Sequence, residues 1–519
     1  MLFNSFEFIF GFLPASLLIF YAIGSLDRKL ATLWLAVCSI FFYACWNYRM
    51  TALLLASVAF NYLCAFLIHR CSENRYLQNA ILTFGILVDL GVLIFYKYLS
   101  ALIFFLEENG VVTAGTKFEI LLPLGISFFT FTQIGFLIDV RQRVAKYRGP
   151  VSYVAFVTFF PHLIAGPILH NREILPQFED PRMGRFSAEN IALGLSYFAI
   201  GLMKKILIAD NLAGIADNGF AHPHTLDLFG AWGVTLAYTF QLYFDFSGYS
   251  DMAIALARMF GIIFPANFNS PYKATSIIDF WQRWHMTLTR YLMLYVYNPL
   301  AIRVARRRAA RYPMAQAGPE SSAGFTQLVV FPTMVAMGLA GVWHGAGLQF
   351  LIFGVMHGSF LCINHAWRIF GPRRRKKGAV KDVGKNPIVI GLKFVLTFLA
   401  VLAGWILFRA ASLSDAVAVI NAMVGGNGLR LPELPQSLPA VWRASWLPLE
   451  LAALFLALWL LPNTQELFAK YHPILGKVRP AWAVVCWRPN WAWAFVTIVL
   501  WVAAIMGLTA PTRFLYFQF

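Results

Sequence analysis

The sequence predicts an all-α, polytopic membrane protein of about eleven or twelve transmembrane helices, with re-entrant and interfacial helices between them. Three observations carry this. The 519 residues are 59% hydrophobic and only 13% charged, with a mean hydropathy of +0.64, far outside the range of soluble domains. Apolar runs of about 18 to 25 residues, each long enough to cross roughly 30 Å of hydrocarbon, recur from end to end. The short alternating strands of an outer-membrane barrel do not appear.

In chain order the expected spans are Ser5 to Gly24, Leu30 to Trp46, Thr51 to Ile68, Asn79 to Phe105, Glu119 to Val140, Ile191 to Ile208, Ala231 to Phe246, Thr326 to Trp343, Leu348 to Trp367, Pro387 to Phe408, Leu447 to Leu461 and Trp491 to Leu508. The first carries Glu7 and no Lys or Arg ahead of it. It lacks the basic region of a cleaved signal peptide and is expected to be retained. The basic loops orient the rest: Asp27-Arg28-Lys29, Arg141 to Arg148, Arg303 to Arg311 and Arg373 to Lys385 should all face the cytoplasm. An even number of spans separates each loop from the next, which places both termini on the far side.

Two stretches do not fit a simple span. Phe159 to His170, "FFPHLIAGPILH", is broken by Pro161 and Pro167 and suits a re-entrant segment buried in protein. Pro265 to Pro299 carries too many polar groups to cross, and its Trp281, Trp284, Tyr291, Tyr295 and Tyr297 fit helices lying near the cytoplasmic surface. With no repeat and no soluble insert, the chain reads as one membrane domain over 1–519.

The formal net charge of +18 sits in short loops rather than on a groove-binding module, so membrane topology and not nucleic acid explains it. Six cysteines without CxxC spacing are packing residues, and no metal is expected. An ionisable group inside a span is costly enough to be a functional candidate. His344 in "GLAGVWHGAG" is framed by glycines that let backbone or substrate come close. It is either a base or a histidine bonded at a helix turn. His285 in "DFWQRWH" and His357 in "GVMHGSF" carry the same two readings. Asp245, Ser247 and Asp251 in "FDFSGYSD" either bind a cation or hydroxyl or satisfy a helix break at Gly248. No phosphate-binding glycine loop and no GxSxG elbow is present, so imidazole is left as the base of any reaction.

From about Phe156 to Gly358 the sequence resembles the membrane-bound O-acyltransferases, in particular the bacterial branch that serves alginate O-acetylation. The stretches that carry the likeness are "FFPHLIAGPI", "GLMKKILIADNLA", "QLYFDFSGYSDMAIALARMFGI", "FNSPYKATSIIDFWQRWHMTLTRYL" and "GVWHGAG" followed by "FGVMHGSF". The resemblance implies an acyltransferase fold, with core motifs over about 156–358 and C-terminal spans and an aromatic tail over 387–519. It implies transfer of an acyl group, acetyl above all, from a cytoplasmic thioester such as acetyl-CoA to an exported polysaccharide like alginate or cellulose. His344 is implied as the essential histidine and His285 as the second. No bound cofactor is expected. The implied setting is the bacterial inner membrane, with membrane lipid, a periplasmic SGNH-type partner and a polysaccharide synthesis and export complex around it.

Arg283, Arg290, Lys204 and Lys205 are candidates for the donor's phosphates, or else plain cytoplasmic charges. The closing "FLYFQF" resembles the ending of the companion peptide of the D-alanylation system. Tyr516 is accordingly expected to carry the acyl group as an aryl ester, or else to serve in an aromatic belt. A D-alanyl transferase fed by a carrier-protein thioester is the enzymatic alternative. A transporter or channel is the alternative of another class, although no second copy of the WHG or FDFSGYS stretch appears.

Overall fold

The computed structural model describes residues 1–109, 111, 120–145, 149–312, 318–371, 386–428, 438–482, 485–508 and 515. Among them the only non-helical pairing is an isolated bridge between Pro265 and Leu475, and the remaining ordered structure is helix. Among the described residues, seven helices are long and apolar enough to cross a membrane: Glu7–Gly24, Tyr48–Arg70, Arg75–Glu107, Ala188–Ala221, Ser322–His344, Leu348–Phe370 and Pro387–Arg409. Shorter apolar helices, Leu413–Met423, Trp446–Leu460 and Trp491–Gly507, accompany them. The protein is a polytopic α-helical membrane protein. The predicted basic loop 373–385 lies outside the described residues.

Contacts divide the chain into two compact units that interleave along the sequence: Met1–Leu207, Asp245–Ala266 and Thr464–Gln518 form the first, and Ile208–Phe244 with Asn267–Asn463 form the second. In the first unit, polar caps fix where several of the helices begin. Asp27 accepts from the Lys29 N–H ahead of Arg28–Ala44, Asn47 caps Tyr48–Arg70, Asn74 caps Arg75–Glu108 and Ser187 caps Ala188–Met203. Each gives orphaned N–H groups of the first turn an acceptor.

The span expected from Glu119 starts later, at Ile126. Gly125 before it has φ +71°, and a Cβ there would come within 3.1 Å of the Ile164 Cα. Only glycine fits that turn. Phe159 to His170 is buried within the unit and has only a four-residue helix, Phe160–Leu163, as its two prolines require.

The second unit contains Asp210–Ala221, Ile277–Trp281, Met286–Leu292, Asn298–Arg311, Phe331–His344, Leu348–Phe370 and Pro387–Arg409. Its short helices were expected to lie at the surface. They are packed inside instead: Trp281, Trp284 and Tyr291 are buried. The reason is aromatic packing, since Trp284 lies 4.7 Å from Trp405 and 5.8 Å from Phe280 between ring centroids, and burying such rings removes large apolar areas from contact with polar surroundings.

Candidate active site

His344 closes the helix Phe331–His344 at the turn of a tight helical hairpin. Gly341 and Gly354 make that hairpin possible, because a Cβ on either would come within 3.1 Å of the other's Cα. Small residues let the two backbones touch. After Gly345 and Gly347 the chain resumes as Leu348–Phe370. The imidazole, 8% exposed, is walled by rings: Trp343 at 4.9 Å, Phe408 at 5.0 Å and Phe353 at 6.2 Å.

His285 is built more rigidly. It sits at φ +43°, an uncommon left-handed conformation for a residue with a side chain. Two backbone bonds hold the loop in this shape: Met286 N–H to the Asn267 carbonyl at 2.8 Å and Asn269 N–H to the Arg283 carbonyl at 2.9 Å. The Asn267 side-chain oxygen lies 2.9 Å from His285 Nδ1 and also accepts from the Thr287 hydroxyl at 2.8 Å. An amide oxygen only accepts, so Nδ1 carries the proton and the lone pair is left on Nε2. Burial pushes the imidazole's pKa down to about 3, which keeps the ring neutral at physiological pH. The result is a neutral imidazole with its tautomer set and its lone pair on Nε2.

Trp343 brings the two histidines together. Its ring centroid is 6.2 Å from His285 and 4.9 Å from His344. The sequence pattern of 265–299 sets His285 among helices near the cytoplasmic surface, apart from the apolar span that ends at His344. Phe331–His344 is unbroken; the polar segment instead folds inward to carry His285, 1% exposed, to the indole. His357 completes the cluster from one turn beyond Phe353. It is fully buried, and its Nδ1 lies 3.4 Å from the Trp281 indole nitrogen, which donates to it. Asn267 and Thr287 were not singled out from the sequence. Neither belongs to a spacing pattern, and only the backbone pairing of 267–269 with 283–286 brings them to the imidazole.

The remaining candidates divide. Arg283 donates from Nε to Asp279 Oδ1 at 2.7 Å and from Nη1 to the Asn269 carbonyl at 3.3 Å, bracing the His285 loop. Arg290 is half-buried on Met286–Leu292. Lys204 and Lys205 belong to the first unit, on a π-helical turn, Lys204–Ala209. There Lys204 Nζ meets Asp251 Oδ2 at 2.6 Å, with Thr464 Oγ1 2.7 Å from the same oxygen, and Lys205 Nζ meets Asp245 Oδ1 at 2.6 Å. The carboxylates of "FDFSGYSD" are therefore matched to two lysines, and the helix Leu228–Met259 runs through Gly248 without the break the sequence allowed. Gly248 serves a close crossing: a Cβ on it would stand 2.7 Å from the Gly201 carbonyl oxygen. Tyr516 lies outside the described residues. Its neighbour Leu515 is buried, and the Asp245 carboxylate accepts from the Leu515 backbone.

The second unit of this polytopic helical membrane protein thus holds two buried histidines, His285 and His344, that both neighbour one tryptophan. Residues 40–315 match the model of MBOAT, the membrane-bound O-acyltransferase family. The chain is also 38% identical over 466 residues to the peptidoglycan O-acetyltransferase of Helicobacter pylori, covering 84% of this chain and 82% of that protein. It is 37% identical to the probable alginate O-acetylase AlgI of Pseudomonas aeruginosa, over 84% of this chain and 77% of that one. It is 35% identical to the Azotobacter vinelandii protein of the same name, over 100% of both. The chain belongs to the membrane-bound O-acyltransferase family and is a membrane-bound O-acyltransferase. The family match includes His285 and ends before His344, whereas the full-length alignment to the Azotobacter vinelandii protein spans both.

Proposed function

We propose that this enzyme moves acetyl groups from a cytoplasmic thioester, acetyl-CoA or an acyl-carrier thioester, across the bacterial inner membrane for O-acetylation of an exported polysaccharide of the alginate or cellulose kind. The similarity to acetyltransferases of two different envelope or exported glycans supports the acyl group and the acceptor class. The single observation that carries the chemistry is the pair of buried imidazoles that both neighbour Trp343. In this reading His344 takes the proton of the attacking hydroxyl, the hydroxyl oxygen bonds to the thioester carbonyl carbon, and the carbon–sulfur bond breaks to release thiolate. His285, neutral and with Nε2 as its basic atom, is the second proton acceptor of the same site.

Tyr516 is proposed as the first acceptor. Its phenol attacks the thioester, His344 removes the proton, and the aryl ester then passes the acetyl group to the serine of a periplasmic SGNH-type partner that serves the polysaccharide synthesis and export complex. Phenolate is a better leaving group than an alkoxide, so the second transfer runs downhill. Donor phosphates are assigned to Arg283 and Arg290. The buried pairing of Lys204 and Lys205 with aspartates speaks against their serving as free phosphate ligands.

The experiment is transfer of label from acetyl-CoA to polymer in inverted membranes carrying wild-type enzyme or Tyr516→Phe. Wild type should transfer label and Tyr516→Phe should not, because only the hydroxyl is deleted. Undiminished acetylation by Tyr516→Phe would leave that tyrosine as an aromatic belt residue, and label supplied only by a D-alanyl carrier would move the enzyme to the D-alanyl transferases.

A further inference from the structure

The second unit contains a pocket of about 780 Å³ unrelated to the histidine cluster, lined by Val304, Arg307, Arg308, Arg311, Tyr312, Gln327 and Phe331 among others. Four of these residues, 304, 307, 308 and 311, follow the i, i+3, i+4, i+7 spacing that puts side chains on one face of a helix, here Asn298–Arg311. Gln327 and Phe331 come from the π-helical turn Thr326–Val330 and the start of the helix that ends in His344. Arg308 is held in place rather than left in solvent. It is 4% exposed, its Nη1 donates to Gln327 Oε1 at 2.9 Å, and its guanidinium lies 4.9 Å from the Tyr312 ring centroid.

Orientation of the membrane helices by positive charge requires only that arginines be present in the loop, and Arg303 and Arg306 on the same helix meet that need. It does not require three guanidiniums on one face around a concavity. Like charges at i, i+3 and i, i+4 repel, and burying one of them raises the cost further. An anion seated among them reverses the sign of that interaction. Guanidinium forks match phosphate oxygens geometrically, and Val304 and Phe331 give the same pocket an apolar side.

We propose that this pocket binds an organic phosphate of an amphiphilic ligand. The phosphate has two sources, the headgroup of an anionic phospholipid or the diphosphate of a nucleotide-bearing thioester; only the second rests on the donor proposed above, and it would move that donor's diphosphate here from Arg283 and Arg290. The test uses full-length protein in neutral detergent, with retention of phosphatidylglycerol, phosphatidylcholine and coenzyme A each measured by native mass spectrometry. Arg307→Gln/Arg311→Gln keeps the buried Arg308 and therefore the fold, and Arg308→Gln is the second variant. Wild type should retain phosphatidylglycerol or coenzyme A in preference to zwitterionic phosphatidylcholine, and the double variant should bind that ligand at least about tenfold more weakly, with the difference shrinking as salt rises. Loss confined to phosphatidylglycerol identifies a lipid site, and loss confined to coenzyme A identifies the donor. Wild-type affinity of the double variant for both anions overturns the proposal. If acetyl-CoA proves not to be the donor while phosphatidylglycerol binding still depends on the arginines, the donor reading fails and the lipid site stands.

Discussion

At the residue scale, the proposed acyltransfer site depends on a few hydrogen bonds that decide which imidazole nitrogen carries the lone pair. Asn267 imposes the Nδ1–H tautomer on His285, and His357 holds Trp281 four residues before it. A Cβ on Gly404 would run into His357 Nε2, a buried atom with no hydrogen-bond partner among the described residues. The space around His357 is therefore fully used, and its role is to position Trp281. His357→Phe should strand the buried Trp281 N–H, costing about 1–3 kcal/mol, and lower kcat more than it raises KM. His357→Asn, whose oxygen can reach the position of Nδ1, should restore much of the rate. Equal rates for the Phe and Asn variants would show that only ring packing matters. The same burial sets a pH dependence. His285 and His162 have pKa values pushed down from 6.5 to about 3 and about 4, so between these values and 6.5 the unfolded chain binds more protons than the folded one. Their contribution to stability is complete above pH 6.5 and falls as the pH is lowered toward 4. Melting temperatures in detergent from pH 8 to 5 check the sign, and a melting temperature that rises with acidification would contradict it.

At the element scale, close helix crossings carry the architecture, and glycine is what allows them. Gly341 against Gly354 sets the hairpin that presents His344, and Gly201 against Gly248 brings Lys205 to Asp245. A buried ion pair of this kind is expensive to break by halves. Lys205→Met alone leaves an uncompensated carboxylate and should destabilise the protein by about 3–5 kcal/mol, whereas Lys205→Met with Asp245→Leu should recover most of that loss. Thermal unfolding of the two variants decides, and a double variant no more stable than the single one would mean the pair is not the source of the effect. These crossings also show what was legible in the sequence. Hydropathy located the spans because lipid imposes their length, but it set three of their starts two to four residues late, at Leu30, Thr51 and Asn79, because the caps Asp27, Asn47 and Asn74 are polar and lie outside the apolar runs. The inward fold of 265–299 was not legible, because its tryptophans suit a membrane interface as well as a protein core. Only their contacts with Trp405 and Phe280 decide between the two. In the same way the carboxylates near Gly248 gave no sign of their lysines, which stand forty or more residues away, Lys204 facing Asp251 at 2.6 Å, a separation of 47 positions that lies beyond any local pairing rule.

At the scale of the whole molecule, two compact units share a chain that passes between them repeatedly, and the sequence, read as a single membrane domain, offers no linker to mark the boundary. The histidine cluster lies wholly in the second unit, while the lysine–aspartate pairs and Leu515 lie in the first. The motif stretches that read from the sequence as one family signature thus serve separate purposes: "DFWQRWH" and "GVWHGAG" build the imidazole site, and "FDFSGYSD" neutralises buried lysines. The central claim is that the site around Trp343 performs acyl transfer with His344 as its base. The most direct measurement is the rate of label transfer from acetyl-CoA by purified, reconstituted His344→Ala beside wild type, each at equal folded amount. The account predicts a fall of about 10²- to 10⁴-fold, and a variant that keeps more than about a tenth of the wild-type rate would contradict it.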